Sequence, residues 1–196
     1  MIDTSYVRTM ARYNAWQNRS LFRAAATLDD AARRQDRGAF FGSIHGTFCH
    51  LLWGDRMWLS RFAGTPKPTQ RIHESADLVA DWDDLVDQRQ AFDGTIAEWA
   101  RDMSAEWLAG DLVWFSGATQ REMRKPRALL VVQLFNHQTH HRGQVHAMLT
   151  AAGAKPDDTD LMLLEPEACA AAGPGARPAT AARSQVPPAA QSSMTA

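Results

Sequence analysis

Histidines in one short stretch are the residues of this chain best suited to chemistry. Four of its seven histidines lie within ten consecutive positions, at His137, His140, His141 and His146. The flanking residues 128–135 and 147–152 are apolar and lack proline and glycine, which predicts a helix closed by Gly153. On a helix, His137 and His141 lie about 40° apart on one face, one turn from each other. Two imidazoles in that arrangement can bind one divalent metal ion.

Spacing alone leaves the pairing within this stretch open. His140 follows His137 by three residues and can replace His141 geometrically, whereas His146 lies about 180° from His137 and cannot share a site with it. The spacing favours His137 with His141 only mildly. Adjacent histidines also occur as surface groups or as neighbours of a ligand, so a metal site needs a third ligand from elsewhere in the chain.

A second helix, predicted over residues 43–62, can supply that ligand. Ser43 is its expected N-cap, and Gly64 closes it. The helix contains His45 and His50, which lie about 140° apart around its axis, so only one of them can face the other histidines. His50 has apolar neighbours and is the better candidate, while His45, near the helix start, is expected at the surface. A histidine in such an aromatic-rich helix is also commonly a hydrogen-bonded core residue.

Four long helices are predicted to position these histidines, over residues 4–28, 43–62, 77–103 and 128–152. The third is expected to begin at an N-cap provided by Ser75 or Asp77. In the first, apolar residues at helical spacing predict an inner face of Tyr6, Met10, Tyr13, Trp16, Leu21 and Ala24. The connection 104–126 has the pattern of one or two short extended segments, of which a small hairpin is one arrangement. The predicted fold class is all-α, a four-helix bundle with a long connection before the fourth helix, and bundles commonly build metal sites in their core.

Composition and charge limit the class of protein. The chain has 196 residues and a net charge of −1, so one domain is expected over residues 1–167, without a nucleic-acid-binding surface. The Ala-, Pro- and Ser-rich residues 168–196 are predicted to form a disordered tail. Because the sequence contains no membrane-spanning apolar run, no signal peptide and only Cys49 and Cys169 as cysteines, we expect a cytoplasmic protein with reduced thiols and no membrane partner.

Two histidine motifs of this chain resemble those of the DinB/YfiT-like family, whose members are metal-binding four-helix bundles. The motifs are His50-Leu-Leu-Trp-Gly-Asp55-Arg-Met-Trp58 and His137-x-x-x-His141-Arg142-Gly143-Gln144. The segment Ala11-Arg-Tyr-Asn14-Ala-Trp16-Gln-Asn18 is similar to the first helix of the family, and the resemblance covers residues 4–165. It implies a divalent metal ion, such as zinc or nickel, held by His50, His137 and His141. His140 would then be a neighbour of the ligands, and Asp55 and Trp58 would be structural or pocket-lining.

The resemblance also implies a range of activities. Three protein ligands leave coordination positions open, and a metal ion there can lower the pKa of a bound thiol or water. Relatives include thiol S-transferases or isomerases that use low-molecular-weight thiols, and a hydrolase. We therefore expect a metal-dependent thiol S-transferase with a small-molecule substrate. The alternatives are a metal-hydroxide hydrolase and a non-catalytic metal-binding stress-response protein. A homodimer is a further expectation, because relatives pair and the chain contains seven tryptophans.

Other residues near the motifs narrow these possibilities. Gln138 occupies the position at which a zincin helix carries its catalytic glutamate, which argues against a metalloprotease. The motifs identify no catalytic residue, although His140 can serve as a base. Cys49 lies about 100° from His50 around the helix and is expected to pack in the core. Arg142 and Gln144 either bind an anionic substrate or thiol, or stabilise the core or a dimer interface.

Overall fold

The computed structural model describes residues 2–117 and 119–165, and this part of the chain is mostly helical. The helices are α1 (Thr4–Ala25), α2 (Asp30–Arg34), α3 (Ile44–Phe62), α4 (Trp82–Asp102), α5 (Ala105–Ala109) and α6 (Arg127–Ala151). Two 3₁₀ helices cover Ile72–Asp77 and Leu161–Leu163. Strands β1 (Asp111–Ser116) and β2 (Arg121–Pro126) pair antiparallel. None of the described helices is long and apolar enough to cross a membrane. The disordered tail expected over residues 168–196 lies outside the described residues.

Helix caps explain where three of the long helices begin. The side chain of Asp3 accepts a hydrogen bond from the backbone N–H of Tyr6, and Ser43 accepts one from Gly46. The third predicted helix begins later than expected, because the side chain of Asp81 rather than that of Ser75 or Asp77 caps α4. The Ile72–Asp77 segment forms a separate 3₁₀ helix instead.

The all-α prediction is corrected by the hairpin in the long connection. Strands β1 and β2 form it with Asp111 opposite Pro126 and Ser116 opposite Arg121. The sequence pattern indicated short extended segments in this connection, and α5 precedes the hairpin. The segment between α1 and α3 contains the short helix α2.

The four long helices pack in pairs. Helix α1 contacts α4 and α6, and α3 contacts the same two helices. Two apolar clusters fill the space between them. One contains Leu21, Phe48, Leu52, Leu85 and Leu149, and the other contains Val7, Leu59, Ile96, Leu134 and Phe135. Each long helix contributes to both clusters, so each has an apolar segment on either side of its middle.

A buried polar layer separates the two apolar clusters. It consists of the side chains of Asn14, Asn18, Asp55, Arg89, Asp93, Gln138 and Arg142, all buried. The guanidinium of Arg89 donates to Asp55 over 2.6 Å and to Asp93 over 2.7 Å. The Gln138 amide donates to the other oxygen of Asp55 over 2.8 Å. These contacts link α3, α4 and α6 at one level of the protein.

Helix α1 joins the polar layer through its asparagines. The amide of Asn18 donates to Asp93 over 2.9 Å, and the guanidinium of Arg142 donates to the Asn14 side-chain oxygen. The inner face predicted for α1 is therefore wrong in part. Tyr13 and Trp16 are only half-buried, whereas Asn14 and Asn18 point inward because their amides are hydrogen-bonded there.

The charges of the polar layer offset one another. Burial would lower the pKa of Arg89, but the carboxylates of Asp93 and Asp55 outweigh it and raise that pKa above its ordinary value. Burial raises the pKa of the Asp55 carboxyl, and the Arg89 charge and the Gln138 amide oppose that effect. Burial also lowers the pKa of Arg142 to about 10, which leaves it charged at neutral pH. Two carboxylates thus face two guanidiniums in the interior.

We predict that Arg89→Met lowers the free energy of unfolding by about 3–5 kcal/mol, because it leaves two buried carboxylates without their cation. Urea denaturation followed by circular dichroism measures this loss. The matched control is Arg101→Met, which removes an exposed arginine of the same helix that pairs with Asp102 over 3.4 Å at the surface. Equal midpoints for the two variants would contradict a structural role for the polar layer.

Candidate metal centre

Three histidines from two helices meet in the structure. His50 lies on α3, and His137 and His141 lie on α6. Each offers a ring nitrogen, and these three atoms lie within 4.8 Å of one another. The Nε2 atoms of His50 and His137 are 3.1 Å apart, and the ring centroids of His137 and His141 are 4.5 Å apart. The residues proposed as ligands from the sequence therefore form one cluster.

Hydrogen bonds on the outer side of two rings fix their tautomers. Ser75 Oγ donates a hydrogen bond to the Ile72 carbonyl over 2.6 Å, so it accepts a hydrogen bond from the Nδ1–H of His50 over 2.8 Å. Gln144 Oε1 accepts from Nδ1 of His141 over 2.7 Å. With the protons on Nδ1, the Nε2 lone pairs of both rings are available to a shared ligand. Metal-binding histidines are commonly oriented in this way.

Burial keeps all three rings neutral. It lowers the pKa of His50 to about 3, with a further contribution from the charges of His137 and His141. It also lowers the pKa of His137 and of His141 to about 4 each. Neutral imidazole is the form that binds a metal ion. The cluster is therefore in the binding form at neutral pH.

The spacing of the nitrogens suits a divalent metal ion. Nitrogens about 2.0–2.1 Å from a tetrahedral zinc ion lie about 3.3 Å from each other. The separation of 3.1 Å between His50 and His137 is within a few tenths of an ångström of that value. A hydrogen bond between the rings of His50 and His137 would account for their contact. It would not explain why a nitrogen of His141 also lies within 4.8 Å of both. The donor set and its geometry thus fit a metal ion.

The absence of a side chain at Gly54 leaves room for the His137 ring. A Cβ atom at Gly54 would lie 2.8 Å from Cε1 of His137, closer than real Cβ contacts come. Glycine inside a helix costs about 1 kcal/mol relative to alanine. The glycine at position 54 is therefore explained by the His137 ring packed against it.

The structure shows which histidines of α6 belong to the cluster, a choice that their spacing had not decided. His141 belongs to the cluster, whereas His140 is exposed. The His140 ring packs edge to face against the His141 ring, with the centroids 4.9 Å apart. His146 is half-buried and lies outside the cluster. Gln138, between the clustered histidines in sequence, is fully buried and points into the polar layer, where it binds Asp55.

The prediction that His45 lies at the surface is wrong. His45 is 3% exposed, and its Nε2–H donates to the Val79 carbonyl over 2.8 Å. The chain between the 3₁₀ helix and α4 covers this part of α3, a contact that sequence periodicity does not reveal. His73, in the 3₁₀ helix, is exposed.

Cys49 packs in the core, as expected. Its thiol is fully buried and donates to the Val79 carbonyl over 3.4 Å. Burial raises the pKa of the Cys49 thiol to about 11. It is not part of the histidine cluster.

A cavity of about 580 Å³ opens beside the histidine cluster. Its walls are mostly aromatic, and they include Phe40, Phe41, Trp53, Met57, Trp58 and Trp114. The Phe41 ring stacks on His50, with the centroids 3.6 Å apart. Trp53, Met57 and Trp58 lie on α3, whereas Phe41 precedes α3 and Trp114 lies on β1, so one long helix and the connections supply these walls together. Neither Phe41 nor Trp114 was predicted from the sequence, because no motif or periodicity marks them.

A second cavity, of about 510 Å³, lies between α1 and α4. Its buried charged residues, Arg89 and Asp93, are already paired with each other, and none of the described residues that line it is a histidine. We therefore place the chemistry at the cavity beside the histidine cluster, because unpaired donor atoms and open volume coincide there.

Comparison with known proteins identifies a family. The model of the DinB family matches residues 1–175. The chain is also similar to Protein DinB of Bacillus subtilis (strain 168), with 22% identity over 149 residues. That alignment covers 76% of this chain and 87% of the Bacillus protein.

We predict that Gly54→Ala displaces the His137 ring and weakens binding of zinc or nickel by at least about tenfold, since the new methyl group occupies the place of the ring. Isothermal titration with each metal measures the affinity. Gly94→Ala on α4 is the control, because a Cβ there meets nothing within 4 Å. Unchanged metal affinity in Gly54→Ala would show that the position of the His137 ring does not determine metal binding.

Proposed function

The chain belongs to the DinB family, and we propose that it is a divalent-metal-dependent enzyme that activates a low-molecular-weight thiol for S-transfer. The observation that carries the proposal is the cluster of His50, His137 and His141, neutral and open to a cavity. We also propose that the four long helices form a four-helix bundle around it. The pairwise packing of α1 and α3 with α4 and α6 supports that arrangement.

The three histidines would hold the ion, with zinc or nickel as the candidates. When bound, the ion supplies Lewis acidity, which lowers the pKa of a coordinated thiol or water. Ser75 and Gln144 keep the rings of His50 and His141 oriented through their Nδ1 protons. A cavity of about 580 Å³ has room for a thiol and a small electrophile together.

Proton chemistry favours a thiol over water as the group that reacts. A free thiol has a pKa of about 8.5, whereas that of water is about 15.7, so a thiol needs far less assistance to ionise. No carboxylate is present among the described residues that line the cavity. His140, exposed at the cavity, is the candidate to accept the proton.

Hydrolysis remains the second candidate function, because the open volume and His140 would equally accommodate a water molecule and its base. It predicts turnover of esters or amides without added thiol. A non-catalytic metal-binding protein is the third, and it predicts metal binding without turnover. All three rest on the same ligands, so metal binding is the first measurement.

We predict that the protein purified without a histidine tag and loaded with zinc or nickel holds about one equivalent of metal. Each of His50→Ala, His137→Ala and His141→Ala should lose it, because two imidazoles make a weak site. Inductively coupled plasma mass spectrometry gives the metal content. His146→Ala, on the same helix but outside the cluster, is the control. Metal-free wild type, or full occupancy in His137→Ala, would overturn all three functions.

We predict that the metal-loaded protein accelerates the displacement of halide from a bimane or dinitrophenyl halide by bacillithiol, mycothiol or glutathione, in which the C–S bond forms as halide leaves and the thiol gives up its proton. Product absorbance or fluorescence follows the rate, and His137→Ala should reduce it to background because the activating ion is lost. Turnover of esters without a thiol would assign the hydrolase instead. Metal binding with neither activity would assign the non-catalytic role.

A further inference from the structure

Arg61 is the permanently charged side chain among the described residues that line the histidine cavity. It lies on α3, near the end of the helix that carries His50. Its guanidinium carbon sits 4.8 Å from the centre of the Trp58 ring and 5.8 Å from that of Trp114. The two indoles therefore hold the cation in place from α3 and from β1.

No ion pair or hydrogen bond engages this guanidinium within residues 2–117 and 119–165. Other half-buried arginines of the chain differ. Arg56, on the same helix, donates to the Gln88 side chain over 2.9 Å. The guanidinium of Arg61 has five N–H donors, and indole faces satisfy none of them. An anion that enters the cavity can accept these hydrogen bonds.

The path from the histidine cluster to Arg61 is apolar. Gly54, in contact with His137, precedes Arg61 by seven residues, so the two positions lie about 10 Å apart along the helix axis. Met57 and Trp58 lie between them on the cavity side of α3. At the rim, Phe40 is 83% exposed and Ile72 is 58% exposed. A ligand that spans the cavity therefore meets hydrocarbon along most of its length.

We propose that this cavity takes a small molecule with an aromatic or apolar body and one anionic group, bound by Arg61 at the end remote from the histidines. This inference rests on the proposed function, because it assigns the reacting end of the same molecule to the histidine cluster. Charge at one end and hydrocarbon between the ends fix the direction in which the molecule lies. A neutral molecule of the same shape would offer Arg61 only uncharged acceptors, whose hydrogen bonds are weaker than those to an anion, and would bind more weakly.

A structural role for Arg61 is the competing explanation. Stacking between Trp58 and Trp114 could serve only to seal the end of the core, with the guanidinium in solvent. The two roles predict different responses to ligand charge. A sealing arginine affects charged and neutral ligands alike, whereas a recognition residue distinguishes them.

The test uses a matched pair of probes, 4-phenylbutyrate and its neutral amide, 4-phenylbutanamide. Their affinities are measured by titration calorimetry on the metal-loaded full chain, with metal content determined for each sample. The variants are Arg61→Met, which keeps the apolar stem, Arg61→Lys, which keeps the charge, and Arg56→Met as the control on the same helix. We expect the wild type and Arg56→Met to bind the acid about tenfold more tightly than the amide. Arg61→Met should lose this preference without weaker amide binding, and Arg61→Lys should restore part of it.

Three outcomes would overturn the proposal. They are equal affinities of wild type for the two probes, binding of neither probe, and a preference for the acid that persists in Arg61→Met. The last outcome would mean that the carboxylate binds at the metal instead. Repeating the titration with His137→Ala separates this proposal from the proposed function. A preference that survives loss of metal supports Arg61 even where the thiol chemistry fails.

Discussion

The pairing of Arg89 with Asp55 and Asp93 is the constraint on which the rest of the structure depends. These charges are buried, so each must face its partner or incur a large desolvation cost. Gln138 binds the second oxygen of Asp55 and follows His137 directly in the chain. The hydrogen bond therefore fixes the rotation and height of α6 against α3. A shift of α6 by one residue would break this contact and also separate His137 from His50.

The three histidines lie on long helices, and the cavity beside them is built by α3 together with the segments that connect the helices. The three histidines lie in the interior of α3 and α6, where backbone hydrogen bonds and packing determine their positions. Phe41 and Trp114 come from the segments that connect the helices. A substitution of Phe41 would change the shape of the cavity and also remove the ring that stacks on His50. Trp114 packs against Trp58, so a substitution there would reshape the cavity at a distance from the histidine cluster.

Much of the site could be predicted from the sequence, because the spacing of His137 and His141 and the resemblance to a family both mark it. The helix patterns and the cap at Ser43 could be predicted as well, since these signals are local. The inward orientation of Asn14 could not, because polarity predicts exposure and its partners lie on other helices. The burial of His45 depends likewise on a segment that is distant in sequence. Arg61 carries no local signal, since its role follows from which rings surround it.

Cys49 has a consequence for chemical selectivity. A thiol with a pKa of about 11 is ionised in only about one molecule in ten thousand at neutral pH, and this one is also sealed from solvent. Although it adjoins His50 in sequence, it cannot compete as a nucleophile for a reagent in the cavity. Under the S-transfer function proposed above, an electrophile bound in the cavity would therefore leave this thiol unmodified.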